Sequence, residues 1–121
     1  MLLAVSYWYY KNHMTLATHA VVGSATASLI PSHPVIGFCA GFMSHFLLDS
    51  IPHWDYELKS NPVNPSKDRL LCVNADTIHD IICVGLDFSL GILLSSIFLL
   101  FGASIITICI GIIAGTLPDA L

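Results

Sequence analysis

Four apolar segments constrain the fold of this chain more than any other feature of its sequence. They cover residues 15–30, 35–48, 74–101 and 104–117. Hydrophobic residues make up 55% of the 121 positions, charged residues only 10%, and the mean hydropathy is +0.80. A soluble domain usually carries about 25% charged residues. Most of the chain is therefore predicted to lie in lipid, as a single all-α domain over residues 1–121 that forms an integral membrane bundle of about four helices.

Proline, glycine and polar residues mark the breaks between these segments. Pro31 and Pro34 end the first segment, and Pro52 ends the second. Residues 50–73 are predicted to form one long polar loop in the cytoplasm, and residues 1–13 an N-terminal extension. A helix that crosses a bilayer needs about 20 residues. The third segment is therefore predicted to cross the bilayer, whereas the other three are shorter than a full crossing requires.

Small residues are concentrated where helices are expected to touch. In the second segment, Gly37 and Gly41 follow a small-xxx-small spacing. Small side chains let helix backbones approach closely in a bilayer. The first segment has the highest density of them: Ala17, Ala20, Gly23, Ser24, Ala25 and Ala27.

The few positive charges predict an orientation. Lys11 precedes the first segment, and Lys59, Lys67 and Arg69 lie in the polar loop. If each segment crosses once, all four charges fall on one side, which the positive-inside rule makes cytoplasmic. The chain is then a multi-pass protein of the cell (inner) membrane with both termini in the cytoplasm. A net charge of −4 offers no surface for nucleic acid, so the expected partners are membrane lipid and further copies of the chain.

Histidine and aspartate collect at the cytoplasmic ends of the predicted helices. Residues 41–55, GFMSHFLLDSIPHWD, place two of each at the end of the second segment. Such groups are costly beside lipid and mark functional sites in membrane segments. The predicted topology excludes His33, in the opposite turn, and brings nine residues to one face: His19, His45, Asp49, His53, Asp55, Asp76, His79, Asp80 and Asp119.

Helical spacing groups these residues further. His45 and Asp49 are four residues apart, so they share a helix face. At ~100° per residue, the third segment carries one polar stripe. Its deepest member lies about two turns beyond Asp80, where a carboxylate is expected to be either protonated or paired with a partner from another helix. The stripe consists of Asp76, His79, Asp80, Cys83 and Asp87.

Imidazole and carboxylate groups without thiolate suit zinc, manganese or iron and leave room for a reactive water. Helix geometry makes Asp76, His79 and Asp80 candidate ligands. His53 or Asp55, at the water-facing mouth, is the candidate general base or a residue that orients a ligand. The four cysteines form no CxxC pair and are interpreted as reduced packing residues. A simpler interpretation stays open, in which the aspartates cap helices and the histidines bond to backbone.

Three short motifs resemble those of a known family. They are Thr18-His19 followed by Gly23, Gly41-x-x-Ser44-His45-x-Leu47-Leu48-Asp49, and Gly111-x-x-x-Gly115-x-x-Pro118-Asp119. Bacterial and archaeal membrane-bound metal-dependent hydrolases carry similar motifs, and that family is distantly similar to zinc-dependent phospholipase C. The resemblance implies a divalent metal, most often zinc, with four ligands: His19, His45, Asp49 and Asp119.

The predicted function is therefore a membrane-embedded metal-dependent hydrolase that acts on an ester or phosphoester, such as a lipid headgroup ester, at the cytoplasmic face. The chain lacks the HRG-x-THS motif of larger relatives and ends two residues after Asp119. A truncated, minimal or inactive version therefore stays open, with Met14 as the alternative start. Two other classes stay open: a structural or inactive small helical membrane protein, and a proton- or ion-coupled transporter, which Asp87 favours.

Overall fold

The computed structural model describes residues 15–51 and 75–121, and every regular element in these ranges is helical. The α-helices are α1 (Leu16–Ser28), α2 (Pro34–Asp49), α3 (Ala75–Ser95) and α4 (Ile105–Ala120). A 3₁₀ helix, Ser96–Phe101, follows α3 directly. The prediction of an all-α fold is confirmed for the described ranges. Almost all of the predicted polar loop lies outside them.

Each helix coincides with one apolar segment to within a few residues. The third segment ends at Gly102, whose φ of +84° lies in the left-handed region that favours glycine. Its N–H donates to the Leu99 carbonyl at 3.1 Å, which closes the 3₁₀ helix. The fourth helix continues to Ala120 with Pro118 inside it, so Pro118 does not stop the helix.

The helices alternate in direction around α1, which contacts each of the other three. Two side-chain contacts show that α1 and α3 are parallel, because Asp87 meets Ala17 and Ser95 meets Ser24. Helix α4 is antiparallel to α1, and α2 runs in the same direction as α4. The start of α1 and the ends of α2 and α4 therefore meet at one end of the molecule, which we call the polar end.

Small residues fill the interfaces of α1. Ala20 and Ser24 have no exposed surface, and Ser24 donates a hydrogen bond to the buried Ser95 hydroxyl at 2.9 Å. A Cβ on Gly23 would collide with the Gly111 carbonyl of α4. The predicted small-residue packing is therefore present, and it brings the α1 and α4 backbones into direct contact.

Large apolar side chains lie mainly on the outside of the described structure. Leu100 is 85% exposed and Leu86 is 67% exposed, whereas the buried apolar residues are mostly alanine. The continuous helical stretch 75–101 has 27 residues and is long and apolar enough to cross a membrane. Helices α2 and α4 are apolar but shorter.

Candidate metal centre

His19 is held at the polar end by the first turns of α1, and it is fully buried. The Thr15 side chain, at the N-cap position of α1, makes no capping hydrogen bond. A carboxylate on α3 supplies an acceptor instead, since the Ala17 N–H donates to Asp87 Oδ2 at 3.0 Å. This contact orders the turn that carries His19, because the first N–H groups of a helix have no acceptor within the helix.

His45 and Asp49 come from the last turns of α2. Their four-residue spacing brings Nε2 of His45 to 3.0 Å from Oδ2 of Asp49. The other carboxylate oxygen, Oδ1, lies 3.3 Å from Nε2 of His19. One carboxylate therefore bridges two imidazoles from different helices.

The two imidazole rings stack, with centroids 4.1 Å apart and an interplanar angle of 29°. His45 is only 3% exposed, whereas the Asp49 side chain is 37% exposed. The two histidines therefore lie on the buried side of the site, and the Asp49 carboxylate lies on its exposed side.

Ligand atoms of His19, His45 and Asp49 all lie within 4.8 Å of one another, so this group can hold a metal ion. In a tetrahedral zinc site with bonds of about 2.0–2.1 Å, ligand atoms are about 3.3 Å apart. The two distances from Asp49 oxygens to histidine nitrogens, 3.0 and 3.3 Å, are close to that value. Two histidines and one carboxylate are also a ligand set of catalytic sites, which keep a position open for water.

No family model, curated protein or solved structure matches this chain. The geometry of the site and the resemblance of its motifs are therefore the basis for inferring a function.

Asp119 reaches the same site from the last turn of α4. Its Oδ1 lies 3.8 Å from Nε2 of His45, and its side chain is 23% exposed. The structure thus brings together the four residues to which the family resemblance points. Three of them form the close group, and Asp119 lies at its edge.

The three candidate ligands of α3 lie outside the close group. The Asp87 carboxylate reaches the N–H of Ala17 in the first turn of α1, and Asp80 precedes Asp87 by seven residues, or about 10 Å along the helix axis. His79 contacts its own neighbours instead, with Nδ1 at 3.4 Å from Asp80 and 3.7 Å from the Cys83 sulfur. Asp80 is buried and lines an apolar groove between α1 and α3, and Asp76 is exposed in the first turn of α3.

The remaining histidine and aspartate residues that the sequence analysis considered are His33, His53 and Asp55. His53 and Asp55, the predicted general base or orienting residues, lie outside the described residues. His33 immediately precedes α2 at the opposite end of the molecule and is exposed. Its predicted exclusion from the site agrees with this position.

Sequence reasoning missed one backbone group of the site. The ring nitrogen Nδ1 of His45 lies 2.9 Å from the carbonyl oxygen of Gly115 on α4. The spacing of Gly111 and Gly115 indicated close helix packing. Nothing in that spacing identifies a carbonyl that reaches a histidine, because the contact depends on how α2 and α4 are placed side by side.

Proposed function

We propose that this protein is a membrane-embedded metal-dependent hydrolase that cleaves an ester or phosphoester at the cytoplasmic membrane face. The observation that carries the proposal is the convergence of His19, His45 and Asp49 on one point, with Asp119 beside them. These residues come from three different helices. A shared ligand accounts for why polar groups from all three meet at one end of an otherwise apolar bundle.

A multi-pass membrane position is supported by how residues are distributed between inside and outside. Small residues pack the helix interfaces, and large apolar residues such as Leu86 and Leu100 point outward. In a soluble protein such a surface would be exposed to water at high cost. In a bilayer it faces hydrocarbon, and small-residue contacts hold the helices together.

His19, His45 and Asp49 are the proposed ligands of a divalent cation, with zinc first and manganese or iron as alternatives, and Asp119 is the proposed fourth ligand. Such a cation lowers the pKa of a bound water and polarises a phosphoryl or acyl oxygen. The histidines are buried and their positions are constrained by packing. Asp49 and Asp119 are partly exposed, so substrate and water have access from the carboxylate side.

Each residue of the proposed site has a distinct role. Asp49 contacts both imidazoles and so holds the two nitrogens toward one point. The Gly115 carbonyl fixes the His45 ring. His53 or Asp55 remains the proposed general base or orienting residue, because the chain leads directly from Asp49 to them.

The substrate proposed is a membrane lipid with an ester or phosphoester in its headgroup region. The site lies at the ends of helices whose outer surfaces are apolar, and helix ends lie near the membrane–water interface. A lipid headgroup is found at that same level, so the substrate would reach the site without leaving the bilayer.

Metal analysis of the purified protein tests the proposal directly. The intact protein in detergent is expected to bind about one zinc per chain at the His19–His45–Asp49 group. Replacement of two ligands, His45→Ala with Asp49→Ala, should weaken binding at least 100-fold, measured by competition with a chromogenic chelator. His33→Ala is the matched control and should bind zinc as the wild type does, since His33 lies at the opposite end.

Hydrolysis is measured in the same preparations with a p-nitrophenyl ester, a p-nitrophenyl phosphodiester and phospholipid micelles. Zinc-loaded wild type and His33→Ala should cleave at least one of these substrates, and the double variant should not. Circular dichroism checks that the double variant is folded, and Asp49→Asn is the conservative replacement if it is not. Absence of stoichiometric metal in the intact protein would overturn the proposal.

A further inference from the structure

We infer that Gly115 is a positioning residue of the metal centre, because its backbone orients one histidine ligand and its missing side chain places the other. This inference rests on the proposed function, since it names how the metal ligands are held. Gly115 is itself buried in α4. It contacts His45 of α2 through its carbonyl and the backbone of His19 in α1 through its Cα face.

The carbonyl determines which nitrogen of His45 faces the site. A carbonyl oxygen only accepts hydrogen bonds, so Nδ1 of His45 donates to Gly115 over the 2.9 Å that separate them. The proton on Nδ1 leaves the lone pair of Nε2 available for a cation. Nε2 is also the nitrogen that lies near Asp49 and Asp119. Hydrogen bonding of the second ring nitrogen to a carbonyl is a common way to orient a metal-binding histidine.

The missing side chain of Gly115 sets the position of His19. A Cβ at Gly115 would collide with the His19 carbonyl and would come within 3.2 Å of Gly23 Cα. Both obstacles are backbone atoms of α1, so no side chain can rotate away to make room. A methyl group at this position must push α1 away from α4, and His19 moves with α1. One residue therefore controls the positions of two ligands from two other helices.

Gly111 provides a matched control one turn earlier on α4. A Cβ there would collide with the backbone of Ser24 and Gly23, in the same α1–α4 interface. Its contacts lie further from the site, at the level of Ser24 and not of His19. Gly111→Ala and Gly115→Ala therefore disturb the same helix packing, but only Gly115→Ala disturbs it at a ligand.

The experiment compares wild type, Gly115→Ala and Gly111→Ala in detergent. Zinc affinity is measured by chelator competition, ligand geometry by the visible absorption of the cobalt-substituted protein, and folding by thermal unfolding. We expect Gly115→Ala to weaken zinc binding 10- to 100-fold and to change the cobalt spectrum. Both variants should lower the unfolding temperature by similar amounts. Gly111→Ala should nevertheless keep zinc affinity within about threefold of the wild type and leave the cobalt spectrum unchanged.

A second measurement does not depend on whether the two glycine variants fold. Imidazole ¹⁵N shifts of wild type, with the His45 signals assigned by their loss in His45→Gln, report which ring nitrogen carries a proton. We expect a proton on Nδ1 of His45 in both the zinc-free and the zinc-loaded protein. An unprotonated Nδ1, or equal loss of zinc affinity in both glycine variants, would overturn the inference. Wild type that binds no zinc would instead overturn the proposed function, while the proton on Nδ1 would still be observed.

Discussion

At the residue scale, Asp87 is a polar residue inside an apolar helix that stabilises the start of another helix. The Ala17 N–H donates to its carboxylate at 3.0 Å, across 70 positions of sequence. A negative charge at the N-terminus of a helix is also favoured by the helix dipole. The sequence predicted that this carboxylate is either protonated or paired with another helix, and the structure gives it the backbone N–H of Ala17 in α1 as a partner.

Replacement of Asp87 tests whether this residue caps α1 or carries a proton or ion in a transporter. Asp87→Ala removes the acceptor and should lower the free energy of unfolding by about 0.5–2 kcal/mol, as for loss of a helix N-cap. Asp87→Asn keeps a side-chain oxygen that can accept the bond, so its stability should stay near that of the wild type. Denaturant unfolding in detergent, followed by circular dichroism, measures both.

A transporter would respond differently to the same variants. If Asp87 carries a proton or an ion, Asp87→Asn should abolish movement of that ion into liposomes while leaving zinc binding intact. If the residue is a cap, wild type and Asp87→Asn should behave alike in liposomes. Ion flux that depends on the Asp87 carboxylate would favour transport over hydrolysis.

At the scale of elements, Gly85 of α3 and Gly102, which directly follows the 3₁₀ helix, are in opposite circumstances. Gly85 lies within the helix, and a Cβ there would meet no atom within 4 Å. Gly102 is equally open, but its φ is +84°. Space therefore permits a side chain at both positions, whereas the backbone conformation permits it only at Gly85.

Alanine at these two positions should change stability with opposite signs. Gly85→Ala should raise the free energy of unfolding by about 1 kcal/mol, because alanine loses less conformational entropy in a helix. Gly102→Ala should lower it by about 1–2 kcal/mol, because the left-handed conformation is strained for alanine. The two unfolding curves, measured side by side in one detergent, check the signs. Destabilisation by Gly85→Ala would mean that this face of α3 is covered in the native protein.

The position of α3 along the axis of α1 explains why the polar stripe of α3 is separate from the candidate metal centre. Helical periodicity placed Asp76, His79 and Asp80 on one face, which is a property of the helix itself. Their height relative to α1 depends on the contacts of Ser95 and Asp87 with that helix. These contacts place the first turns of α3 beyond the start of α1, so the three residues do not join the close group.

At the scale of the whole molecule, helix direction puts the candidate metal centre and the α1–α2 turn at opposite ends. Ser32 is exposed in that turn, and Leu121 follows α4 at the polar end. The positive-inside rule predicts that the polar end faces the cytoplasm. The orientation of the chain can therefore be read from the accessibility of these two positions.

Thiol labelling in intact bacterial cells measures that accessibility. In a variant whose four native cysteines are replaced, Ser32→Cys should react with a membrane-impermeant maleimide, and Leu121→Cys should react only after the cells are opened. The reverse pattern would place the site on the outer face. Equal labelling of both positions in intact cells would contradict a bundle whose two ends lie on different sides of the membrane.

The sequence by itself determined the four helices, their breaks and the residue types of the site. Apolar runs bounded by proline and glycine set the helix limits, because those residues act locally on the backbone. The spacing of His45 and Asp49 placed them on one face, and the motif resemblance singled out His19 and Asp119 with them. Local periodicity does not specify how far one helix is shifted along another.

Only the tertiary structure decided which of the seven histidine and aspartate candidates within residues 15–51 and 75–121 meet. Collisions that any side chain at Gly23 or Gly115 would cause show how closely α1 and α4 approach. That approach brings His19 to the carboxylate of Asp49 and the Gly115 carbonyl to His45. Contacts between helices fix these distances, since close-packed backbones leave no room to slide.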